Sequence, residues 1–148
     1  NIVRSLVGDV LIDRKFIRKQ AIASLRPDII VTPQVKWAIE TEGLTGVKFI
    51  HNVRDYKGRE MPDYYSMIIE HVLPPMCEQT WLTYDSPAKK CDKCGLVVPY
   101  IRSNLYYKEK DFNNANDFNL THEFLNNWAE RYIIVSKRVK EVFKKYIM

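Results

Sequence analysis

The chain has 148 residues, of which 46% are apolar and 28% charged, a balance that fits one packed domain, or two small lobes at most, and excludes collagen-like, coiled-coil and wholly disordered architectures. No run of about eighteen apolar residues is present, and Asn1–Arg4 lacks the basic head and apolar core of a signal peptide, so nothing directs the chain through a membrane. The net charge of +5 comes in blocks: +4 over 1–26, −4 over 27–88, +4 over 89–110, −4 over 111–130 and +5 over 131–148. Such alternation suits a mosaic surface, or a face for a charged protein partner, better than one continuous nucleic-acid stripe.

In chain order, the opening 2–20 mixes aliphatic residues with Arg4, Arg14, Lys15, Arg18 and Lys19, broken by a Gly8-Asp9 turn. Asp28-Ile29-Ile30-Val31 reads as a short buried strand; Thr32 then serves as a hydroxyl N-cap and Pro33 as the first helical residue. Val35, Ala38 and Ile39 recur at helical spacing, and Glu42-Gly43 ends the helix. The run 47–53 alternates as a strand with Val47, Phe49, His51 and Val53 on one face. A Lys57-Gly58 turn leads to a second alternating run, 64–73, which places Tyr65, Met67, Ile69, His71 and Leu73 together and ends at Pro74-Pro75; the two runs are expected to be antiparallel strands. Residues 76–102 read as an inserted small lobe around Cys91-Asp92-Lys93-Cys94-Gly95, within a single domain spanning 1–148. The Asn- and Asp-rich 111–119 reads as a loop, with a short helix expected over 121–128.

The last segment repeats an earlier one. Tyr132-Ile133-Ile134-Val135-Ser136-Lys137-Arg138-Val139-Lys140 lies on Asp28-Ile29-Ile30-Val31-Thr32-Pro33-Gln34-Val35-Lys36 without a gap, and Val139/Val142/Phe143 matches the stripe Val35/Ala38/Ile39. The fold class expected is therefore α+β: a mainly antiparallel sheet shared by two strand–cap–helix units, with a small CxxCG knuckle lobe. The second copy stops at Met148, short of a strand equivalent to 47–53, so either that strand was lost by truncation or trimming at an end or the repeat is incomplete by nature.

Three cysteines, Cys77, Cys91 and Cys94, suit a reducing compartment, and the protein reads as cytoplasmic. Two thiolates at Cys91-x-x-Cys94 can hold half of a tetrahedral zinc ion, and Gly95 lets backbone amides turn toward the sulfurs. A structural zinc needs further donors, from Cys77, from His51, His71 or His122, or from residues upstream. The competing readings are a pair of reduced thiols and a redox Cys-x-x-Cys. His51 and His71 fall on strand faces, where a half-buried, hydrogen-bonded imidazole is the ordinary outcome. His122-Glu123 could do acid–base work, but a solvated helix start explains it equally well. No nucleophile elbow, phosphate-cradling glycine loop or metalloprotease helix occurs, so an enzyme is not expected. Lys89, Lys90, Lys93 and Arg102 with Tyr84, Tyr100, Tyr106 and Tyr107 could grip single-stranded nucleic acid, against the simpler role of filling strand faces and solubilising a lobe.

The segments Ile29-Ile30-Val31-Thr32-Pro33-Gln34-Val35-Lys36 and Glu42-Gly43-Leu44-Thr45-Gly46-Val47-Lys48-Phe49, the Cys91–Gly95 knuckle, and the closing Asn116-Asp117-Phe118 with Ile133-Ile134-Val135-Ser136-Lys137-Arg138-Val139-Lys140-Glu141-Val142 together resemble the double-CxxCG motif family, which groups with immunity proteins of bacterial polymorphic toxin systems. The resemblance spans roughly 28–148. It implies a cytoplasmic protein that neutralises a cognate protein toxin by binding it, without chemistry of its own; no membrane partner is expected from the hydropathy, and nucleic acid is the less favoured partner from the charge pattern. Family members carry two CxxCG knuckles and this sequence has one; the other is expected upstream of Asn1. The anchors to seek are exposed aromatic and arginine side chains, with Trp81, Tyr84, Tyr106, Trp128 and Arg102 the candidates. The alternative is a zinc-ribbon module that binds nucleic acid.

Overall fold

The computed structural model describes residues 8–13, 15, 20–25, 28–85, 87, 90–126 and 130–147. Arg4, Arg14, Arg18, Lys19, Lys89 and Trp128, singled out above, lie outside the described residues. The elements are β1 (Val10–Ile12), β2 (Ile22–Leu25), β3 (Asp28–Val31), α1 (Pro33–Thr41), β4 (Val47–Ile50), β5 (Val53–Asp55), β6 (Tyr65–Ile69), β7 (Leu82–Thr83), β8 (Tyr100–Ile101), a 3-10 turn at Glu109–Phe112, β9 (Phe118–Leu120), β10 (Ile133–Val135) and α2 (Lys137–Tyr146). The class is α+β with mainly antiparallel pairing: β2/β3, β3/β6, β7/β8 and β9/β10 are antiparallel, and β1/β5 is parallel. No helix among the described residues is long and apolar enough to cross a membrane.

The chain divides into two compact units, one made of Asn1–Ile68 with Arg138–Met148, the other of Ile69–Lys137. In the first, a four-stranded sheet runs β2-β3-β6-β4. β3 is an inner strand, so Ile30 and Val31 are wholly buried, as their β-branched, uninterrupted run requires. Ile30 joins Val10, Ile12, Ala23, Val53 and Met61 in a cluster capped by Tyr64. Each of the valine, isoleucine and methionine side chains so removed from water contributes about 1.5–3 kcal/mol before entropy is charged against it.

α1 starts where Thr32 and Pro33 place it, but the mechanism differs from the expected cap. Thr32 is extended and makes no side-chain cap bond, and its buried Oγ1 has no hydrogen-bond partner; pre-set proline geometry starts this helix instead. Its end follows the sequence. Gly43 adopts φ +61°, its N–H donates to the Glu40 carbonyl and that of Leu44 to the Ile39 carbonyl, the 5→2 and 6→1 pair of a Schellman motif. α2 lies against this end. The Arg138 guanidinium donates to the Glu42 and Gly43 carbonyls, Lys145 Nζ and Tyr146 Oη reach Glu42 Oε1 at 3.0 and 2.6 Å, and Trp37 meets the Tyr146 ring edge-on at 5.3 Å. α1 has no basic residue in its last turn, and Arg138 supplies that cation from a distant part of the chain.

The run 47–53 is not one strand. It ends at Ile50, and Val53 begins β5, which pairs with β1 in a separate sheet. The switch is held by Asn52, whose amide donates to Gly8 O at 2.9 Å and accepts the buried Ser66 hydroxyl at 2.6 Å. The run 64–73 likewise stops as a strand at Ile69. Beyond it, in the second unit, Leu120 N–H donates to His71 O and Leu73 N–H to Leu120 O, around a parallel bridge between Val72 and Leu120.

The two like segments do not share a sheet. β3 lies inside the four-stranded sheet, whereas among the described residues β10 pairs with β9 alone, leaving Ile133 and Val135 exposed. The helix expected over 121–128 is also absent from its described part, 121–126. Thr121 is buried there, its Oγ1 donating to Glu123 O and accepting Tyr132 N–H, which ties up the turn that would start a helix. The loop 111–119 contains the end of the 3-10 turn and the start of β9.

Candidate functional site

The second unit carries a two-stranded ribbon. Cys77 N–H donates to Tyr106 O at 2.8 Å, Tyr106 N–H to Thr80 Oγ1 at 2.9 Å, and Arg102 N–H to Trp81 O at 2.9 Å; Leu82 and Thr83 then face Ile101 and Tyr100, and Lys90 bridges Val97. Side chains directly opposite in an antiparallel ladder share a face. Trp81, Thr83, Tyr100 and Arg102 therefore stand on one side, and Leu82, Tyr84 and Ile101 on the other. Contacts within the first group agree: Arg102 Nε donates to Thr83 Oγ1 at 3.1 Å, and its guanidinium lies 5.7 Å from the Tyr100 ring centroid. Trp81 is 62% exposed and Arg102 is exposed beside it.

Of the anchors sought from sequence, Trp81, Tyr84, Tyr106 and Arg102 are all exposed. Thr83, which orients the guanidinium, was not foreseen, because the register across the long connection between β7 and β8 sets that contact and local pattern does not. Trp37, also exposed, was passed over although it falls off the Val35/Ala38/Ile39 stripe by about half a helical turn.

At the far end of the ribbon, Gly95 N–H donates to Cys91 O at 2.8 Å and Cys91 N–H to Leu96 O at 2.9 Å, with Gly95 at φ +70°. The Lys90 stem lies across Gly95, where an added Cβ would stand 3.1 Å from Lys90 Cε. The backbone amide of Cys94, then that of Lys93, then the Cys94 thiol hydrogen-bond the Cys91 sulfur, and together they hold its pKa below the ordinary thiol value against burial and the Asp92 charge. Both thiols are exposed.

These residues fit half of a tetrahedral zinc site. Cys77 sits by the Tyr106 end of the ribbon, away from the knuckle, and among the described residues no group of three or more His, Cys, Asp or Glu is gathered closely enough to hold a metal ion. The histidines are likewise dispersed. His71 Nδ1 is 2.8 Å from Asn119 Oδ1, a partnered, half-buried imidazole as expected. His51 is exposed rather than half-buried, its ring tilted against Tyr65 at 5.4 Å, because the strand ends before it. His122 is exposed and not hydrogen-bonded to Glu123, whose Oε1 instead accepts Met76 N–H at 2.9 Å. The carbonyls of Thr121 and His122 take both bonds from Arg131 Nη1, whose guanidinium stacks 4.4 Å from Phe124. Burial, then the Glu123 and Asp111 charges, push the nearby Tyr107 hydroxyl up to about 12.

No family model matches the sequence, and no curated protein matches it.

Proposed function

We propose that the protein is a cytoplasmic immunity protein that binds and neutralises a cognate bacterial toxin by protein–protein contact, with no catalysis of its own. The observation that carries this proposal is the ribbon face on which exposed Trp81 and Arg102 stand beside half-buried Thr83 and Tyr100. Tryptophan, tyrosine and arginine are the residue types on which interface energy concentrates, and a pre-oriented guanidinium loses little freedom when it is covered. Trp81 and Arg102, exposed on a two-stranded ladder, add little to the fold, and their burial against a partner would be strongly favourable. The resemblance to the double-CxxCG family supports the same reading.

The experiment is expression of this protein together with the toxin encoded by the neighbouring gene. Relief of growth arrest by the wild-type chain, weakened in Trp81→Ala, is the expected result; arrest unchanged by the wild-type chain refutes the proposal. A structural zinc on Cys91 and Cys94 would need two further donors brought to the knuckle. Metal analysis of the purified chain checks it, with about one zinc per chain, lost in Cys94→Ser, as the supporting result.

A further inference from the structure

Arg102 is held and yet unpaired. Thr83 Oγ1 accepts its Nε proton and the guanidinium carbon lies over the Tyr100 ring, 5.7 Å from its centroid, so the fork of Nη1 and Nη2 is oriented with its donors free. No carboxylate among the described residues pairs with it, nor with Lys90, Lys93, Lys108 or Lys110, all exposed on the same stretch of chain. In the first unit, by contrast, Arg54 holds Asp9 and Glu60, Arg59 holds Asp55, Lys36 holds Glu40 and Lys145 holds Glu42. The cations around the ribbon therefore leave an uncompensated positive field, with only Asp92 and Glu109 as acids over 89–110.

We infer that the toxin surface covered by the ribbon is acidic and presents a carboxylate to the two terminal nitrogens of Arg102. This inference rests on the immunity reading above and names the chemistry of the partner's face. A planar carboxylate matches the free fork bidentately, and the surrounding lysines steer an acidic surface toward it. A basic phosphate-binding cleft would meet five uncompensated like charges and be repelled, so the protein covers its toxin on a face other than such a cleft. Single-stranded nucleic acid offers phosphate to the same fork but fits the patch less well. Trp81 and Tyr100 stand at diagonal corners with Arg102 between them, and Tyr84 is on the opposite face, so successive bases would find no continuous stacking track.

The test measures association and dissociation rates of the full chain with the purified toxin from the neighbouring gene, at low and high salt, with a single-stranded oligothymidylate as a second probe. Arg102→Glu is expected to weaken the complex by about 30-fold or more, and raising the salt to slow association. Arg102→Lys keeps the charge and loses the fork, so its association rate is expected to stay near wild type while dissociation quickens. Lys57→Glu, on the first unit, is expected to change neither rate. A complex indifferent to both Arg102→Glu and salt overturns this inference and leaves the immunity reading standing. The lack of any complex overturns both, and oligothymidylate binding that depends on Arg102 and exceeds toxin binding replaces the acidic protein face with nucleic acid.

Discussion

Two turns of chain in this molecule treat their charges in opposite ways. At β5, Asp55 is buried, and burial alone would push its carboxyl up; the Arg59 amide, the Arg59 guanidinium and the Lys57 amide outweigh that and bring it down to about 2. Both of its carboxylate oxygens accept bonds, and the Asp55–Arg59 turn closes on itself through Gly58 N–H to Asp55 O and Asp55 N–H to Arg59 O. Along the ribbon, Arg102 is oriented by Thr83 and Tyr100, but its outer donors carry no bond among the described residues and Trp81 across the ladder is exposed. The first arrangement consumes its polar groups to hold a fold. The second orders a side chain and leaves it available, which is what preorganisation for a partner requires.

If that contrast holds, changes in the first unit should cost stability, and changes on the ribbon should cost binding. The largest stability effect is expected from Ile30→Ala, which empties a wholly buried site in an inner strand: about 2–5 kcal/mol in urea denaturation, whereas Trp81→Ala should stay within about 0.5 kcal/mol. An equal loss from both variants would break the comparison. Next comes acid unfolding. Because the folded Asp55 pKa is depressed to about 2 from an ordinary 3.8, its contribution is complete above about pH 4 and disappears as the pH falls toward 2. Thermal melts across that window should show a loss for wild type that is diminished in Asp55→Asn. Arg138→Met, which removes the cation from the Gly43 end of α1, should cost about 0.5–1 kcal/mol. Lys36→Ala, breaking an exposed i,i+4 pair with Glu40, should cost about 0.3–0.5 kcal/mol.

The legible parts of the fold were those fixed by local chemistry. Asp28–Val31, the proline start of α1, the Gly43 stop and the Lys57-Gly58 turn each depend on residues within one turn of chain, and each is present. Where distant partners decide, local pattern misled. The matching segments at β3 and β10 form the same element, yet Ile30 is wholly buried and Ile133 is 41% exposed, because only β3 has a strand on either side. Alternation continued through 47–53, but the Asn52 contacts to Gly8 and Ser66 divide that run between two sheets. At the candidate site, composition picked out Trp81 and Arg102, while the face they share with Thr83 and Tyr100 follows from a register that no short window contains. The knuckle turn was readable from Cys91-x-x-Cys94-Gly95 itself. The company of Cys77 was not, since it depends on the pairing that draws Cys77 to Tyr106.

The central claim is that the ribbon patch binds a toxin, and calorimetric titration of the purified toxin from the neighbouring gene into wild-type chain and into Trp81→Ala tests it most directly. A saturable complex with wild type, weakened about 30-fold or more in a Trp81→Ala chain that melts as wild type does, is the predicted result. The same affinity for both chains, or no binding to either, would contradict it.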